Sequence, residues 1–274
     1  MIEQSISTIT ENKYITFQND MSFSKQNPLF ITSTLLFSLI FLHAATATDP
    51  LFHFCFNKEN FTSNSPFAAN LNELLNNRLP IKVPPTGFGV SSTGQGGGNG
   101  NDSSQVNGLG LCRGDVSTEN CKTCVVEAAK ELQQRCPYNK GAVVWYDNCL
   151  LKYSDDNFFG QIDNSNRFYM WNVQDVDNAE SFNPKVKELL SGLSYKASRT
   201  SKLYATGDMD LGSGPDPKLY GLVQCTRDLN GMDCQKCLDD AISNLPNCCT
   251  GKRGGRVVGG SCYVRYELYS IVDA

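Results

Sequence analysis

Apolar residues recur at the three- and four-residue spacing of amphipathic helices in four stretches of this 274-residue chain. The spacing predicts helices over residues 65–80, from Ser117 or Thr118 to residue 135, and over residues 182–193 and 232–245. Ser65-Pro66 is a typical helix start, because a proline in the first turn loses no hydrogen bond. Pro80 and Pro137 are expected to end the first and second helices, since proline has no backbone N–H.

Alternating or continuously apolar runs between these helices predict strands. The runs cover residues 51–56, 106–112, 167–173, 203–206, 219–225, 255–258 and 262–269, and residues 141–153 hold two strands joined by a turn at Asp147-Asn148. Residues 84–105 are almost all Gly, Ser, Thr, Asn and Pro, which predicts a flexible loop. The predicted order of elements in the first half is thus strand, helix, strand, helix and two strands, which is the pattern of an α+β domain.

The first fifty residues have the pattern of a secretory signal. Residues 29–42 form an uncharged apolar run, Lys25 precedes it, and Ala45-Thr46-Ala47 follows with the small residues of a cleavage site. Because the run is shorter than the roughly 20 residues that span a bilayer, a cleaved signal is favoured over an uncleaved anchor. We therefore assign residues 1–47 to an extension and signal peptide with a natural start at Met21, and expect a secreted chain without a membrane anchor.

Five cysteines occur twice with a constant offset of 113 residues, so the chain contains a duplicated cysteine framework. Cys112, Cys121, Cys124, Cys136 and Cys149 recur as Cys225, Cys234, Cys237, Cys249 and Cys262. The duplication predicts two domains, at residues 48–158 and 165–274. Cys55 has no counterpart in the second half, because the residues about 113 positions later are Phe-Tyr-Met at 168–170. Cys248 has no counterpart in the first half. Cys248 and Cys249 are therefore expected to form a vicinal disulfide or to remain as two thiols.

Three interpretations of the two Cys-x-x-Cys units compete. Four thiolates can hold zinc, and a Cys-x-x-Cys pair at a helix start can be a redox centre. A secreted location favours structural disulfides, each of which stabilises a domain by roughly 2–4 kcal/mol. The spacing alone leaves the partners of the cysteines open, since six cysteines allow fifteen pairings.

Charge and residue content exclude several functions. The chain has 24 basic and 28 acidic residues, and this net charge of −4 argues against nucleic-acid binding and against electrostatic attachment to membranes. Past the signal region His53 is the only histidine, and the adjacent pairs Asp155-Asp156 and Asp239-Asp240 read as solvated residues. We predict no catalytic residues, no metal and no cofactor. Asn60 and Asn101 begin glycosylation sequons.

The doubled cysteine pattern behind a signal peptide resembles the plant cysteine-rich repeat secretory proteins, whose stress-antifungal domain is homologous to ginkbilobin. Further sequence segments that resemble members of this family lie at residues 110–117, 144–150, 220–226, 247–249, 254–257 and 265–268. The resemblance implies a five-stranded antiparallel sheet with two helices in each domain. It also implies the disulfides Cys55–Cys136, Cys112–Cys121, Cys124–Cys149, Cys225–Cys234 and Cys237–Cys262.

Ginkbilobin binds mannose through three residues: an Asn after the first cysteine of the domain, an Arg before the last cysteine and a Glu after the last cysteine. Position by position, the first domain offers Phe56, Val143 and Ser154 and matches none of these. The second offers Arg256 and Glu267, with the Asn position expected among aromatic residues near Tyr169. Arg256 and Glu267 can bind sugar hydroxyls, or they can form a cross-strand salt bridge.

The resemblance implies a secreted, non-enzymatic binding protein of the apoplast, with a role in stress or antifungal defence. Its ligand would be a carbohydrate or a microbial or cell-surface protein. The alternatives are an interaction protein that associates with receptor-like kinase ectodomains through its exposed sheet, and a thiol-redox protein based on Cys-x-x-Cys.

Overall fold

The computed structural model describes residues 49–56, 59–94, 104–212 and 218–272. The predicted signal peptide with Met21, and the sequon at Asn101, lie outside these residues. No helix in the described part of the chain is long and apolar enough to span a bilayer.

The first domain holds five strands and two long helical segments. In chain order its elements are β1 (Phe52–Cys55), α1 (Pro66–Glu73), a π-helical turn (Leu74–Arg78), α2 (Leu79–Lys82), β2 (Phe88–Thr93), β3 (Val106–Cys112), α3 (Thr118–Arg135), β4 (Gly141–Trp145) and β5 (Cys149–Ser154). The second domain repeats the order with β6 (Arg167–Trp171), α4 (Ala179–Ala197), β7 (Tyr204–Asp210), β8 (Lys218–Cys225), α5 (Gly231–Asn244), α6 (Pro246–Cys249), β9 (Gly254–Gly259) and β10 (Cys262–Glu267).

Both domains contain the same antiparallel sheet. The strand orders are β1-β4-β5-β3-β2 and β6-β9-β10-β8-β7. On one face of each sheet, two helices bury an apolar core. Gly110 and Gly221 allow the close approach of those helices, because a Cβ atom would lie 2.6 Å from Val83 Cγ2 at the first and 2.7 Å from Leu193 Cδ1 at the second. The predicted α+β fold class is confirmed.

Two predictions for the first domain are wrong. Pro80 does not end the first helix, which continues to Lys82. The helix widens just before the proline, where the Leu79 N–H bonds to the Leu74 carbonyl five residues back, and such a π turn rearranges the hydrogen bonds that a proline would otherwise break. Strand β2 lies inside the predicted flexible loop. Its alternating Phe88 and Val90 are partly buried, although its polar Ser and Thr residues concealed the pattern.

Disulfides attach the first two turns of one helix to two inner strands in each domain. Cys121 and Cys124 on α3 bond to Cys112 at the end of β3 and to Cys149 at the start of β5. The corresponding bridges of the second domain are Cys225–Cys234 and Cys237–Cys262. These are the pairs that the resemblance implied. A redox pair would need Cys121 and Cys124 bonded to each other, so the redox interpretation does not match this framework.

The remaining four cysteines differ between the domains. Cys55 bonds to Cys136 and ties β1 to the end of α3, whereas Cys248 bonds to its neighbour Cys249. Cys249 is the counterpart of Cys136 in the repeat. The strand that corresponds to β1 in the second domain has no cysteine, so Cys249 is instead bonded to Cys248.

The two sheets pack against each other through the faces turned away from their helices. Val258 of the second sheet joins one buried apolar cluster with Leu109, Leu111, Val143, Trp145 and Leu150 of the first. Trp145 donates its indole N–H to the Gly259 carbonyl at 3.0 Å, and its ring centroid lies 5.2 Å from that of Phe168. The exposed sheet that the receptor-ectodomain hypothesis required is therefore largely covered, which makes that part of the hypothesis wrong.

A buried ion pair fastens the connection between the domains to this interface. Lys152 Nζ on β5 lies 2.6 Å from Asp163 Oδ2 in the linker, and both side chains are at least nine-tenths buried. Asp163 also accepts hydrogen bonds from the Asn166 backbone and side chain. Burial opposes ionisation of Asp163, but the Lys152 charge and these hydrogen bonds outweigh it, so the pKa of the carboxyl is lowered.

Removal of this carboxylate should strongly destabilise the protein. Asp163→Ala leaves the buried Lys152 ammonium without its partner, and we expect a loss of roughly 3–5 kcal/mol in the free energy of unfolding at pH 7. A lowered carboxyl pKa stabilises the fold above the ordinary Asp pKa of about 3.9, and this contribution is lost as the pH falls through the lowered value. The difference between variant and wild type should therefore shrink as the pH falls below the ordinary Asp pKa of about 3.9 and through the lowered value.

Urea unfolding followed by tryptophan fluorescence at several pH values measures both effects. Asp208→Ala is the matched control, because Asp208 forms an exposed pair with Lys218 at 2.9 Å, and solvent-screened surface pairs contribute little to stability. Equal losses in the two variants would contradict the prediction.

Candidate ligand-binding site

Strand register identifies the position after the missing cysteine. Cys55 lies opposite Ala142, and Trp171 lies opposite Gly255, the residue 113 positions after Ala142. Trp171 therefore stands where the first domain has Cys55, and Asn172 occupies the position that follows. The prediction of this position near Tyr169 is wrong, because the connection between the domains shifts β6 by three residues from the constant offset.

Asn172, Arg256 and Glu267 line one shallow pocket at the edge of the second sheet. The enclosed part of this pocket is only about 20 Å³, within about 290 Å³ of space that is mostly open to solvent, and Trp171, Gly254 and Tyr269 also line it. The Asn172 N–H donates to the Gly254 carbonyl at 2.9 Å, which closes the strand end against β9. Asn172 Oδ1 accepts from the Gln174 N–H at 2.9 Å, and this bond orients the side-chain amide.

The charged part of the pocket is a buried network rather than one salt bridge. Arg256 lies directly opposite Arg265 on the neighbouring strand, and the two arginines and Glu267 are only 5–6% exposed. Glu267 Oε1 is 3.0 Å from Arg265 Nε and 3.8 Å from Arg256 Nε. The predicted Arg256–Glu267 contact therefore exists, but Arg265 is the nearer partner of the carboxylate.

The first domain supplies the second acid of this network. Asp147, in the turn between β4 and β5, lies with its Oδ1 2.7 Å from Arg256 Nη1 and 3.7 Å from Arg265 Nη1. Burial opposes protonation of Arg265, but the neighbouring Tyr263 and Glu267, with smaller contributions from Tyr269 and Asp147, raise its pKa above the ordinary range. The charges of the two opposed arginines are thus balanced by one carboxylate from each domain.

Sequence reasoning missed Arg265 and Asp147. Arg265 could have been found, because Arg265 and Glu267 are two residues apart on one strand and must point to the same face. Asp147 carries no such signal, since its contact with Arg256 depends on how the two domains pack.

The described residues of the first domain carry different side chains at the corresponding positions. A Cβ atom on Gly141 would lie 2.6 Å from the ring of Phe56, so this ring covers the glycine that corresponds to Gly254. Val143 lies in the apolar interface in place of Arg256. Ser154 replaces Glu267, and its hydroxyl accepts from the backbone N–H of Asp156.

The other predicted positions lie elsewhere. His53 is a partly buried residue of β1, and burial together with the charge of Arg135 lowers its pKa. Asn60 is exposed, and its glycosylation remains a prediction. The vicinal bridge lies behind the pocket, where Cys249 packs under Gly255 and its carbonyl accepts from the Tyr266 hydroxyl at 2.8 Å.

Comparison with known proteins identifies the family. The profile of the salt stress response/antifungal family matches residues 54–156 and 171–269, which are most of the chain outside the predicted signal. The chain belongs to this family. It is 64% identical over 245 residues to an antimicrobial ginkbilobin-2-like protein of Castanea crenata, a match that covers 89% of the chain and 98% of the relative.

Other members of the salt stress response/antifungal family support this assignment. Cysteine-rich repeat secretory protein 38 of Arabidopsis thaliana is 53% identical over 225 residues, which cover 81% of this chain and 85% of the relative. The tandem DUF26 ectodomain of the Arabidopsis thaliana receptor-like protein PDLP8 superposes with a TM-score of 0.68 at 28% identity, covering 80% of this chain and 97% of that one. The protein is a secreted, disulfide-rich member of the family, and the resemblance seen in the sequence is confirmed.

The charged network should tolerate no side chain at Gly254. A Cβ atom there would collide with Glu267 Oε2 and lie 2.8 Å from its Cδ, so Gly254→Ala must displace the buried carboxylate from the arginines. We expect a loss of about 1–3 kcal/mol in the free energy of unfolding, measured by urea denaturation.

Gly192→Ala is the control for this substitution. Gly192 lies inside α4, and a Cβ atom there meets nothing within 4 Å. Because alanine favours the helix over glycine, this variant should gain roughly 0.5–1 kcal/mol. The same sign for both substitutions would refute the packing argument at Gly254.

Proposed function

We propose that the protein is a secreted, non-enzymatic carbohydrate-binding protein whose second domain holds a mannose-type sugar. The observation that carries the proposal is the convergence of Asn172, Arg256 and Glu267 on one pocket. These are the residue types of the ginkbilobin site, at the positions that the strand register assigns to it.

The chemistry of the pocket suits a polyhydroxylated ligand. The amide of Asn172 and the guanidinium of Arg256 offer hydrogen-bond donors, and the carboxylate of Glu267 offers acceptors. A sugar hydroxyl can therefore accept from the first two residues and donate to the third. Hydrogen bonds with a charged partner are about twice as strong as neutral ones. Trp171 and Tyr269 line the same pocket and present aromatic surface to the less polar face of a sugar ring.

The arrangement is also preorganised. Arg256 is held by Asp147 and Glu267, and Asn172 is oriented by its bond to the Gln174 N–H. Side chains that are already fixed lose little conformational entropy when a ligand binds. The first domain contributes to the site through Asp147, which favours the tandem as the functional unit.

A binding role without catalysis fits the residues present. His53 is the only histidine among the described residues, and it lies on β1 of the first domain rather than in the pocket. The relative from Castanea crenata is named antimicrobial, and we extend such a defence role to this protein. Binding of mannose-type glycans on microbial or plant cell walls would provide the recognition step.

Asn172→Ala should weaken the binding of methyl α-mannoside. Loss of one net hydrogen bond is worth about 1 kcal/mol, which corresponds to a rise of roughly fivefold to tenfold in Kd by isothermal titration calorimetry. Asn76→Ala is the matched control, because Asn76 is an exposed residue whose amide bonds only within the first helical segment, to Asn72. A glycan array with the secreted protein extends the test, and no binding to any sugar would refute the proposal.

A further inference from the structure

A second cleft opens between the two domains and is independent of the pocket at Asn172. It measures about 860 Å³ including the space open to solvent. Residues 84–87 and 112–118 of the first domain form one wall, and Ser201, Lys202, Gln224 and Arg227 of the second domain form the other. Its enclosed volume, about 390 Å³, lies in the range of small-ligand sites.

Two cations of the second domain extend across this cleft to backbone carbonyls of the first. Lys202 Nζ donates to the Gly114 carbonyl at 3.1 Å, and Arg227 Nη2 donates to the Thr86 carbonyl. Among the described residues neither cation has a carboxylate within salt-bridge distance. The third cation of the cleft, Arg113, is already neutralised by Asp115 through contacts of 2.7 and 2.8 Å.

Arg227 is the less satisfied of the two cations. Its Nε is buried and has no hydrogen-bond partner within the described part of the chain. Its guanidinium lies 5.3 Å from the ring centroid of Phe88, and burial lowers its pKa. Asp228, next in sequence, accepts instead from the Gly160 N–H at 2.8 Å. Because a buried donor without a partner is costly and this half-buried guanidinium is not paired with an acid among the described residues, an anion in the cleft would stabilise this arrangement.

The backbone next to Lys202 is strained. Leu203 has a φ of 47°, a left-handed conformation that costs a branched residue about 1–2 kcal/mol, and it is buried. Its N–H bonds to the Thr200 carbonyl and its carbonyl accepts from the Cys225 N–H, so the strain is fixed by surrounding bonds. Strained residues that the fold maintains occur preferentially beside binding sites.

We propose that this cleft binds a carboxylate-bearing saccharide, a uronic-acid oligomer, with its carboxylate between Arg227 and Lys202. The hydroxyl groups of Thr118 and Ser201 line the same cleft and suit the hydroxyls of a sugar chain. An inorganic anion would occupy only part of the space. The proposal does not depend on the mannose-type site, since the two share no lining residue.

Isothermal titration calorimetry of the mature protein with trigalacturonic acid tests the proposal. We expect Arg227→Gln and Lys202→Gln each to raise Kd about tenfold or more, because each removes a charge-assisted bond to the carboxylate. Arg78→Gln is the matched control, since Arg78 is exposed and pairs with Glu73 at 2.9 Å. Its Kd should equal that of the wild type.

Two further ligands distinguish a uronic-acid site from a neutral-sugar site and from a simple anion site. Methyl-esterified trigalacturonide, which lacks the charge, should not bind, and inorganic phosphate at equal concentration should not compete. If Arg227→Gln fails to fold, Lys202→Gln and the conservative Arg227→Lys carry the comparison. The proposal is overturned by no binding to the wild type, by unchanged affinity in folded variants, by equal binding of the ester, or by competition from phosphate.

Discussion

The packing of the two sheets around Trp145 is the interaction on which both candidate sites depend. The Trp145 side chain is buried between the sheets, with its N–H on Gly259 and its ring against Phe168. This contact fixes the turn that follows β4, so that Asp147 meets Arg256. The same interface places Gly114 and Thr86 within reach of Lys202 and Arg227. Loss of the interface would separate both sets of charges.

The two domains share one topology but use the inner faces of their sheets differently. At corresponding positions the first sheet has Val143 and Lys152, and the second has Arg256 and Arg265. In the first domain Lys152 is matched by Asp163 of the linker, and the rest of this face is largely apolar. In the second domain the opposed arginines need Glu267 and Asp147 together. The first domain thus provides the apolar contact surface, and the second provides the polar pocket.

The elements that depend on local sequence could be predicted, and those that depend on register or packing could not. The helix capped by Ser117 and the hairpin at Asp147 follow from local signals, and the structure contains both. Strand β2 was missed because its stability comes from pairing with β3 and from the helix above it, not from its own polar residues. Asn172 was missed because a constant offset assumes equal loop lengths. Arg227 could not be singled out from the sequence, since the burial of its Nε without a hydrogen-bond partner among the described residues depends on how the two domains pack.

The changed cysteine at the start of the second domain has a structural consequence for the pocket. In the first domain the Cys55–Cys136 bridge holds the end of β1, and Phe56 directly after it covers Gly141. In the second domain Trp171 replaces the cysteine, and Cys249 is occupied by Cys248. The residue after Trp171 is then a polar Asn beside Gly254, where a Cβ atom would meet Glu267 rather than an aromatic ring. Because the vicinal bridge keeps Cys249 packed beneath Gly255, the strand that carries Arg256 stays supported without a disulfide to β6. Among the described residues, the disulfide framework therefore differs between the domains at the same edge of the sheet where the second domain carries the pocket at Asn172.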